Sequence, residues 1–373
     1  MHDDTQARAE SARAESARVD GVVRVVGTGL LGASIGLGMR ARGVDVVLAD
    51  ASRANLELAI DYGAGRAPDT ADVPALIVVA VPPDMTAAVV AAELALYPEA
   101  TVTDVASVKA APLAELVSLG ADLSRYVGSH PLAGRERGGA IAARADLFIG
   151  RPWVVCPRPD VDRKRVSLVE ALALDLHATP VELETDAHDA GVALVSHAPQ
   201  VISSLMGKRL AGSSDAALGL TGQGLRDVTR IAASNPELWI QILGANAPAV
   251  VEILHAYRDD LDRVISALAE IDAPGARRTI AEALAGGNTG VARLPGKHGQ
   301  DRRYATVVVM VDDRPGEMGR LFTELGEIGV NIEDLRMEHS PGAQIGLAEI
   351  AVLPEAQQRT IDDLSARGWR IAG

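Results

Sequence analysis

The chain has 373 residues, 48% of them hydrophobic and 23% charged, with a formal net charge of −14. That length favours two or three domains, and the balance is that of an ordinary globular chain. The negative charge argues against nucleic acid or an anionic membrane surface as a partner, because phosphate contacts need clustered Lys and Arg.

Residues 1–20 are polar, rich in Ala, Arg and Glu, and lack an apolar stripe, so a disordered tail is expected there. Without an apolar core they are not a signal peptide, and no apolar run reaches transmembrane length, which places the chain in the cytoplasm. Residues 21–184 alternate strand-like and helix-like segments. Val22–Val26 is an apolar β-type run that leads into Gly27-Thr28-Gly29-Leu30-Leu31-Gly32 and a helix to about Arg42. Gly-x-Gly-x-x-Gly between strand and helix is a dinucleotide-binding pattern. Gly27 permits the tight turn, Gly29 the approach of a pyrophosphate, and Gly32 the close packing of helix on sheet. A second run, Val44–Ala49, ends in Asp50, 18 positions after Gly32. An acid there suits the ribose diol of NAD and repels a 2′-phosphate, although Ser52 and Arg53 leave NADP open.

Further strands are expected at Ala75–Val81, Thr101–Val105, Tyr126–Gly128, Pro152–Cys156 and Thr179–Leu183, with helices between them. Such alternation implies a mostly parallel Rossmann-type sheet covered on both faces, with ligands beyond the carboxyl ends of its strands. Val81, Pro82, Asp104, Ser107 and His130 fall at those ends. Cys156 is the only cysteine, so no intramolecular disulfide or cysteine metal cluster is possible, and it reads as a buried thiol. No histidine spacing suggests a metal.

From 185 to 285 strand signals give way to Ala/Leu-rich helices, broken at Gly212–Ser214, Gly219–Gly224 and Asn235-Pro236. This reads as an all-helical second domain. Residues 286–300 look like a linker. Residues 301–373 follow the order βαββαβ, a ferredoxin-like arrangement.

Several further stretches stand in a telling order: Asp104-Val105-Ala106-Ser107-Val108-Lys109, His130-Pro131-Leu132-Ala133-Gly134, His188-Asp189, Ser196-His197, and Gly224-Leu225-Arg226-Asp227-Val228-Thr229-Arg230-Ile231-Ala232. Together with the glycine motif the chain resembles the prephenate dehydrogenases of tyrosine biosynthesis, whose close relatives accept arogenate. The resemblance spans most of residues 22–285, and the C-terminal segment resembles an ACT domain, a small amino-acid-sensing module. It implies an NAD-dependent oxidative decarboxylation of a cyclohexadienol and a homodimer through the helical domain.

Carried onto this sequence, the resemblance makes His130 the base that takes the substrate hydroxyl proton, a role that an imidazole with an ordinary pKa near ~6.5 can fill. Ser107 would orient that hydroxyl, while a plainer reading makes it the N-cap of the following helix. Lys109 reads as a solvated helix charge. Arg226 is the expected bidentate clamp on a substrate carboxylate. On a continuous helix Arg230 would share its face, and either arginine could instead pair with Asp227. His197 matches a substrate-binding histidine. His188 lies nine positions earlier, half a turn out of phase on a straight helix, so His188-Asp189 is expected to be structural. Trp239 is expected in the core. Where many relatives carry a second histidine, this chain has Gln200. After Gly134 comes the charged run Arg135-Glu136-Arg137. Glu136 matches a position at the pocket mouth, and Arg135 could meet a second carboxylate. In the C-terminal segment Asp313, Arg314, Gly316 and Asn331 match places where ACT modules hold an amino acid, here tyrosine as a feedback effector. The competing readings are arogenate as substrate, a β-hydroxyacid dehydrogenase relying on Lys208, and a nucleotide-sensing regulator.

Overall fold

The structure, a computed structural model, describes residues 17–133, 139–294, 304–339 and 345–372. Two compact units emerge: Val201 closes the first stretch of one, which also takes in Ala233–Leu254, and the other holds Ile202–Ala232 and His255 onward.

The first unit is built on seven strands: β1 Val22–Val26, β2 Val46–Ala49, β3 Pro74–Val79, β4 Thr101–Asp104, β5 Tyr126–Pro131, β6 Pro152–Cys156 and β7 Thr179–Glu182. Their order is β2-β1-β3-β4-β5-β6-β7. All pairs are parallel except β5 with β6, where Gly128 faces Cys156 and His130 faces Val154. Among the described residues between those two strands there is no α-helix, and a 3-10 turn lies at Ala140–Ala142. A parallel partner would need a long crossover, and the antiparallel one does not. The order reverses at β1, since β2 lies on one side of it and β3 on the other. That switch point opens a crevice at the carboxyl ends of β1 and β3.

Helices α1 Leu30–Ala41, α2 Arg53–Asp61, α3 Pro83–Leu96, α4 Ala110–Ser118 and α5 Arg163–Asp175 connect these strands. The period-2 alternation of strand side chains supplies two separate cores. Val23, Val25, Leu76 and Val78 join one with Ile35, Met39 and Leu172, while Ile77, Val79 and Val102 join the other with Val90 and Leu116. Such a sheet is buried on both faces, which is why its strands read as continuous apolar runs. Cys156 is buried.

Beyond β7 the chain is helical: α6 Thr185–Val192, a π-helical turn Ala193–His197, α7 Ala198–Leu210, α8 Asp215–Leu218, α9 Gln223–Thr229, α10 Pro236–Ala245, α11 Ala247–Ala269 and α12 Ala276–Val291. Asn235 caps α10 by accepting the Glu237 N–H, with Pro236 in the first turn. The expected linker is helix as far as Val291. Gly286, Gly287 and Gly290 weaken that helix but do not block it, whereas Pro295 disfavours helix in the residue before it. Residues 295–300 lie outside the described residues. So do residues 1–16 of the expected tail, whereas Val19 is buried and its N–H, with that of Arg18, donates to Asp175. Among the described residues no single helix is long and apolar enough to cross a membrane, and α10 with α11 meets that test only as a pair bent by 95°.

The C-terminal segment holds β8 Ala305–Asp312, α13 Glu317–Glu327, β9 Asp334–His339, β10 Ile345–Val352, α14 Gln357–Ala366 and β11 Arg370–Ala372. The antiparallel sheet has the order β11-β8-β10-β9. Val307, Val309 and Val311 alternate inward along β8 and meet Leu321, Leu325 and Leu364 of the helices in a core of their own.

Candidate active site

The glycine loop follows β1 directly. Gly27 has a φ of +94°, and a Cβ there would stand 2.4 Å from the carbonyl oxygen of Ala80. A Cβ on Gly32 would come within 1.9 Å of the Gly27 carbonyl oxygen. Both positions therefore need glycine for packing. Gly29 differs: nothing lies within 4 Å of its absent Cβ, so the loop is open where a diphosphate would approach. Gly29 is also the N-cap of α1 and offers no side-chain cap, which leaves the first-turn N–H groups of Leu30, Leu31 and Gly32 to a ligand.

Asp50 stands at the end of β2. Its Oδ2 accepts the Thr28 N–H at 2.7 Å and the Thr28 hydroxyl at 2.8 Å, and its Oδ1 accepts the Ser52 N–H at 2.8 Å. A carboxylate offers about four acceptor positions, so one remains for a ribose hydroxyl. Val81 and Pro82 follow β3. The Ala80 N–H donates to the Val26 carbonyl, and Val81 packs against Gly27, so the loops after β1 and β3 close on each other.

The second cluster lies at the ends of β4 and β5. His130 is the penultimate residue of β5 and is buried. Its Nδ1 lies 2.9 Å from Nε2 of His188, the two rings meeting edge to face. His188 in turn holds its Nδ1 2.7 Å from Oδ1 of Asp189. Burial pushes the His130 pKa well below its ordinary value, helped by His188, the Lys109 ammonium and His197. The imidazole is therefore neutral at neutral pH.

Lys109 overturns its expected role. It is 2% exposed, and its ammonium donates to Asp104 and, at 2.7 Å, to the Ser129 carbonyl. Asp104 also accepts the Tyr126 hydroxyl at 2.6 Å and the Ala106 N–H at 2.9 Å. A buried lysine must find such partners, and the bend after β4 turns it inward. Ser107 lies in that bend, half-buried, and does not cap α4, because the helix begins after Lys109. Asp189 does so from another element, accepting the N–H groups of Lys109 and Ala110 at 2.8 Å each. Burial pushes the Asp189 carboxyl up, but the hydrogen bonds from His188, Ala110 and Lys109 outweigh it and hold the pKa below its ordinary value.

His197 is buried, and burial pushes it down to about 4. Asn246 donates to the Asp189 carbonyl at 2.8 Å and lies 3.1 Å from His197 Nδ1, while Trp239 meets the His197 ring edge to face. His188 and His197 thus share one buried cluster, contrary to the helical-phase expectation. The π turn between them is the reason. An α-helix advances about 100° per residue, and a turn closed by i→i+5 bonds winds less tightly, so five such residues change the phase of everything beyond them. The adjacent pair His188-Asp189 was the available signal. Gln200 is buried and donates to Ser234 at 2.7 Å.

Arg226 is exposed on α9, where Asp227 is engaged by the Gln223 amide at 2.8 Å. Arg230 does not continue that helix but opens a 3-10 turn. Arg135 and Glu136 lie outside the described residues, as does Gly134. Lys208 is exposed on α7. Asp313, Arg314 and Gly316 form the exposed turn before α13, with Gly316 at a φ of +96° as N-cap, and Asn331 donates to Glu333 at 2.6 Å. Among the described residues no three His, Cys, Asp or Glu side chains converge as metal ligands.

A glycine loop of dinucleotide type at the switch point, with a buried neutral histidine at the carboxyl edge of the same sheet, fits an oxidoreductase. The family model of the prephenate dehydrogenase nucleotide-binding domain matches residues 35–182, and that of the prephenate dehydrogenase dimerization domain matches residues 184–282. A protein of Streptomyces niveus named probable prephenate dehydrogenase NovF is 35% identical over 353 residues, covering 92% of this chain and 98% of the relative. Prephenate dehydrogenase of Bacillus subtilis is 25% identical and covers 84% of this chain and 87% of the relative. Among solved structures, arogenate dehydrogenase of Synechocystis is 26% identical with a TM-score of 0.59, covering 72% of this chain and 99% of that one. The chain belongs to the prephenate dehydrogenase family.

Proposed function

We propose that the chain oxidises and decarboxylates prephenate to 4-hydroxyphenylpyruvate with NAD, as a step of tyrosine biosynthesis. The observation that carries this reading is the buried neutral imidazole of His130 at the carboxyl edge of a sheet whose switch point carries an open glycine loop. NAD would lie along the loop 27–32, its ribose on Asp50 and its far half past Val81 and Pro82. Bound there, it supplies the acceptor for a hydride from the ring carbon that bears the hydroxyl.

His130 takes the hydroxyl proton, and Ser107, in the bend after β4, orients that hydroxyl. His197 lines the same site in a neutral state that donates or accepts a hydrogen bond without adding charge. Arg226 clamps a substrate carboxylate, and Arg135 and Glu136 stand at the mouth. Loss of the ring carboxylate as carbon dioxide then leaves an aromatic ring.

Arogenate is the second reading, favoured by the likeness to the Synechocystis enzyme. A steady-state assay with prephenate and arogenate, each with NAD and NADP, separates the four combinations. Turnover of prephenate with NAD is expected to dominate; silence on both substrates would overturn the reading. A His130→Asn variant is expected to lose about 10²–10⁴-fold in kcat.

The domains are drawn as 21–184 for the dinucleotide, 185–285 for dimerisation and 301–373 for regulation. The homodimer would form through the helical region, and 301–373 would act as an ACT module. The sheet order of the C-terminal segment and its positive-φ turn at Gly316 support that last assignment. Tyrosine would be held by Asp313, Arg314, Gly316 and Asn331. Isothermal titration of the full chain with tyrosine tests it, with no binding as the contrary result.

A further inference from the structure

The geometry points to His188 and Asp189 as a positioning pair that fixes which nitrogen of His130 is free to take a proton. This rests on the proposed role of His130 as base. An ionised carboxylate can only accept, so the contact of 2.7 Å between Asp189 and His188 requires the proton on Nδ1 of His188. In its Nδ1–H tautomer His188 has a lone pair on Nε2. That lone pair faces Nδ1 of His130 at 2.9 Å, so Nδ1 of His130 must carry its proton. The lone pair of His130 is left on Nε2.

Asp189 is itself locked. It accepts the N–H groups of Lys109 and Ala110 at 2.8 Å each, and these open α4 just past Ser107. One carboxylate therefore sets the His130 tautomer and anchors the helix that follows the Ser107 bend. Once Nε2 has taken the substrate proton, the Nδ1–H of the imidazolium still donates to His188, and the chain of donors ends on the Asp189 charge. The other groups around His130 do not serve this purpose. Lys109 is a cation already held by Asp104 and the Ser129 carbonyl, and His197 is a neutral ring bridged to Asn246. The logic is that of a serine-protease triad, in which a buried acid holds a histidine in its working tautomer.

Three measurements test the pair. ¹⁵N chemical shifts of His130 in the wild-type protein at pH 7 should show a protonated Nδ1 and a bare Nε2, with no demand on activity. The reverse assignment would overturn the proposal. His188→Leu should lower kcat by about 10²–10³-fold while leaving KM for NAD unchanged, and His188→Gln, which keeps an acceptor oxygen toward His130, should recover at least about tenfold of that loss. A Leu variant as active as wild type, or a folded Gln variant no better than Leu, would also overturn it. If the Leu variant does not fold, the shift measurement and the Gln variant decide. The acid limb of kcat/KM should move in the Leu variant and stay in the Gln variant. Failure of the parent reading looks different: wild type would be inactive on both substrates, or His130→Asn would keep its activity.

Discussion

Asp50 takes three hydrogen bonds from its own neighbourhood, two from Thr28 and one from Ser52. These bonds hold the carboxylate at the strand end, which supports the proposed preference for NAD. Asp50→Asn is expected to raise KM for NAD about tenfold, the loss of one charge-assisted hydrogen bond, and to improve NADP relative to NAD. Measuring both KM values checks it, and an unchanged ratio would contradict it. Lys109 is the residue least legible in the sequence. Nothing in Ser107-Val108-Lys109 distinguishes a solvated lysine from a buried one, because its partner Asp104 acts through a bend that no period reveals. Removing one member of a buried pair strands the other charge. Lys109→Met is expected to cost about 3–5 kcal/mol in a denaturant titration, and Lys109→Met with Asp104→Asn considerably less.

At the scale of elements, the strand–turn–helix was legible because its glycines have separate physical reasons. Gly32→Ala places a Cβ against a backbone carbonyl that cannot move. It should reduce both stability and NAD affinity, whereas Gly29→Ala should spare stability and weaken NAD binding alone. Thermal unfolding and a cofactor titration separate the two, and equal melting losses would contradict the assignment. The strands of the first sheet were legible for a related reason: being buried on both sides, they leave long apolar runs. The site was legible only in part. His130 and His197 stood out by their motifs. His188 was set aside by assuming a uniform helical pitch, and the π turn at Ala193–His197 breaks that assumption. The plainer reading of Ser107 as the cap of α4 fails because capping rules are local, and Asp189 reaches Ala110 from 79 positions away.

For the whole molecule, the buried neutral histidines link proton uptake to stability. His197 is held at about 4 and His130 lower than its ordinary value, while in the unfolded chain both return to about 6.5. Between those values the unfolded state binds protons that the folded state refuses. Stability is therefore full above about pH 6.5 and falls as pH drops toward 4, by up to about 1.4 kcal/mol per pH unit for each histidine. Denaturant midpoints should agree at pH 7 and 8 and be lower at pH 5. Equal midpoints at pH 5 and 7 would mean that the histidines are charged in the fold. The succession of a nucleotide-binding region and a helical one was legible because strand signals give way to helical ones near residue 184. The division into compact units was not, since Ala233–Leu254 joins the first unit from a distant part of the chain.

Cys156 has a practical consequence. It is the chain's only thiol, and burial pushes its pKa up to about 12, so almost none of it is thiolate at neutral pH. A single cysteine introduced on an exposed position, such as Ser365 of α14, could carry a fluorophore without first mutating the native one. Energy transfer between two labelled copies would then test the proposed pairing of subunits, and the proposed response to tyrosine, in real time.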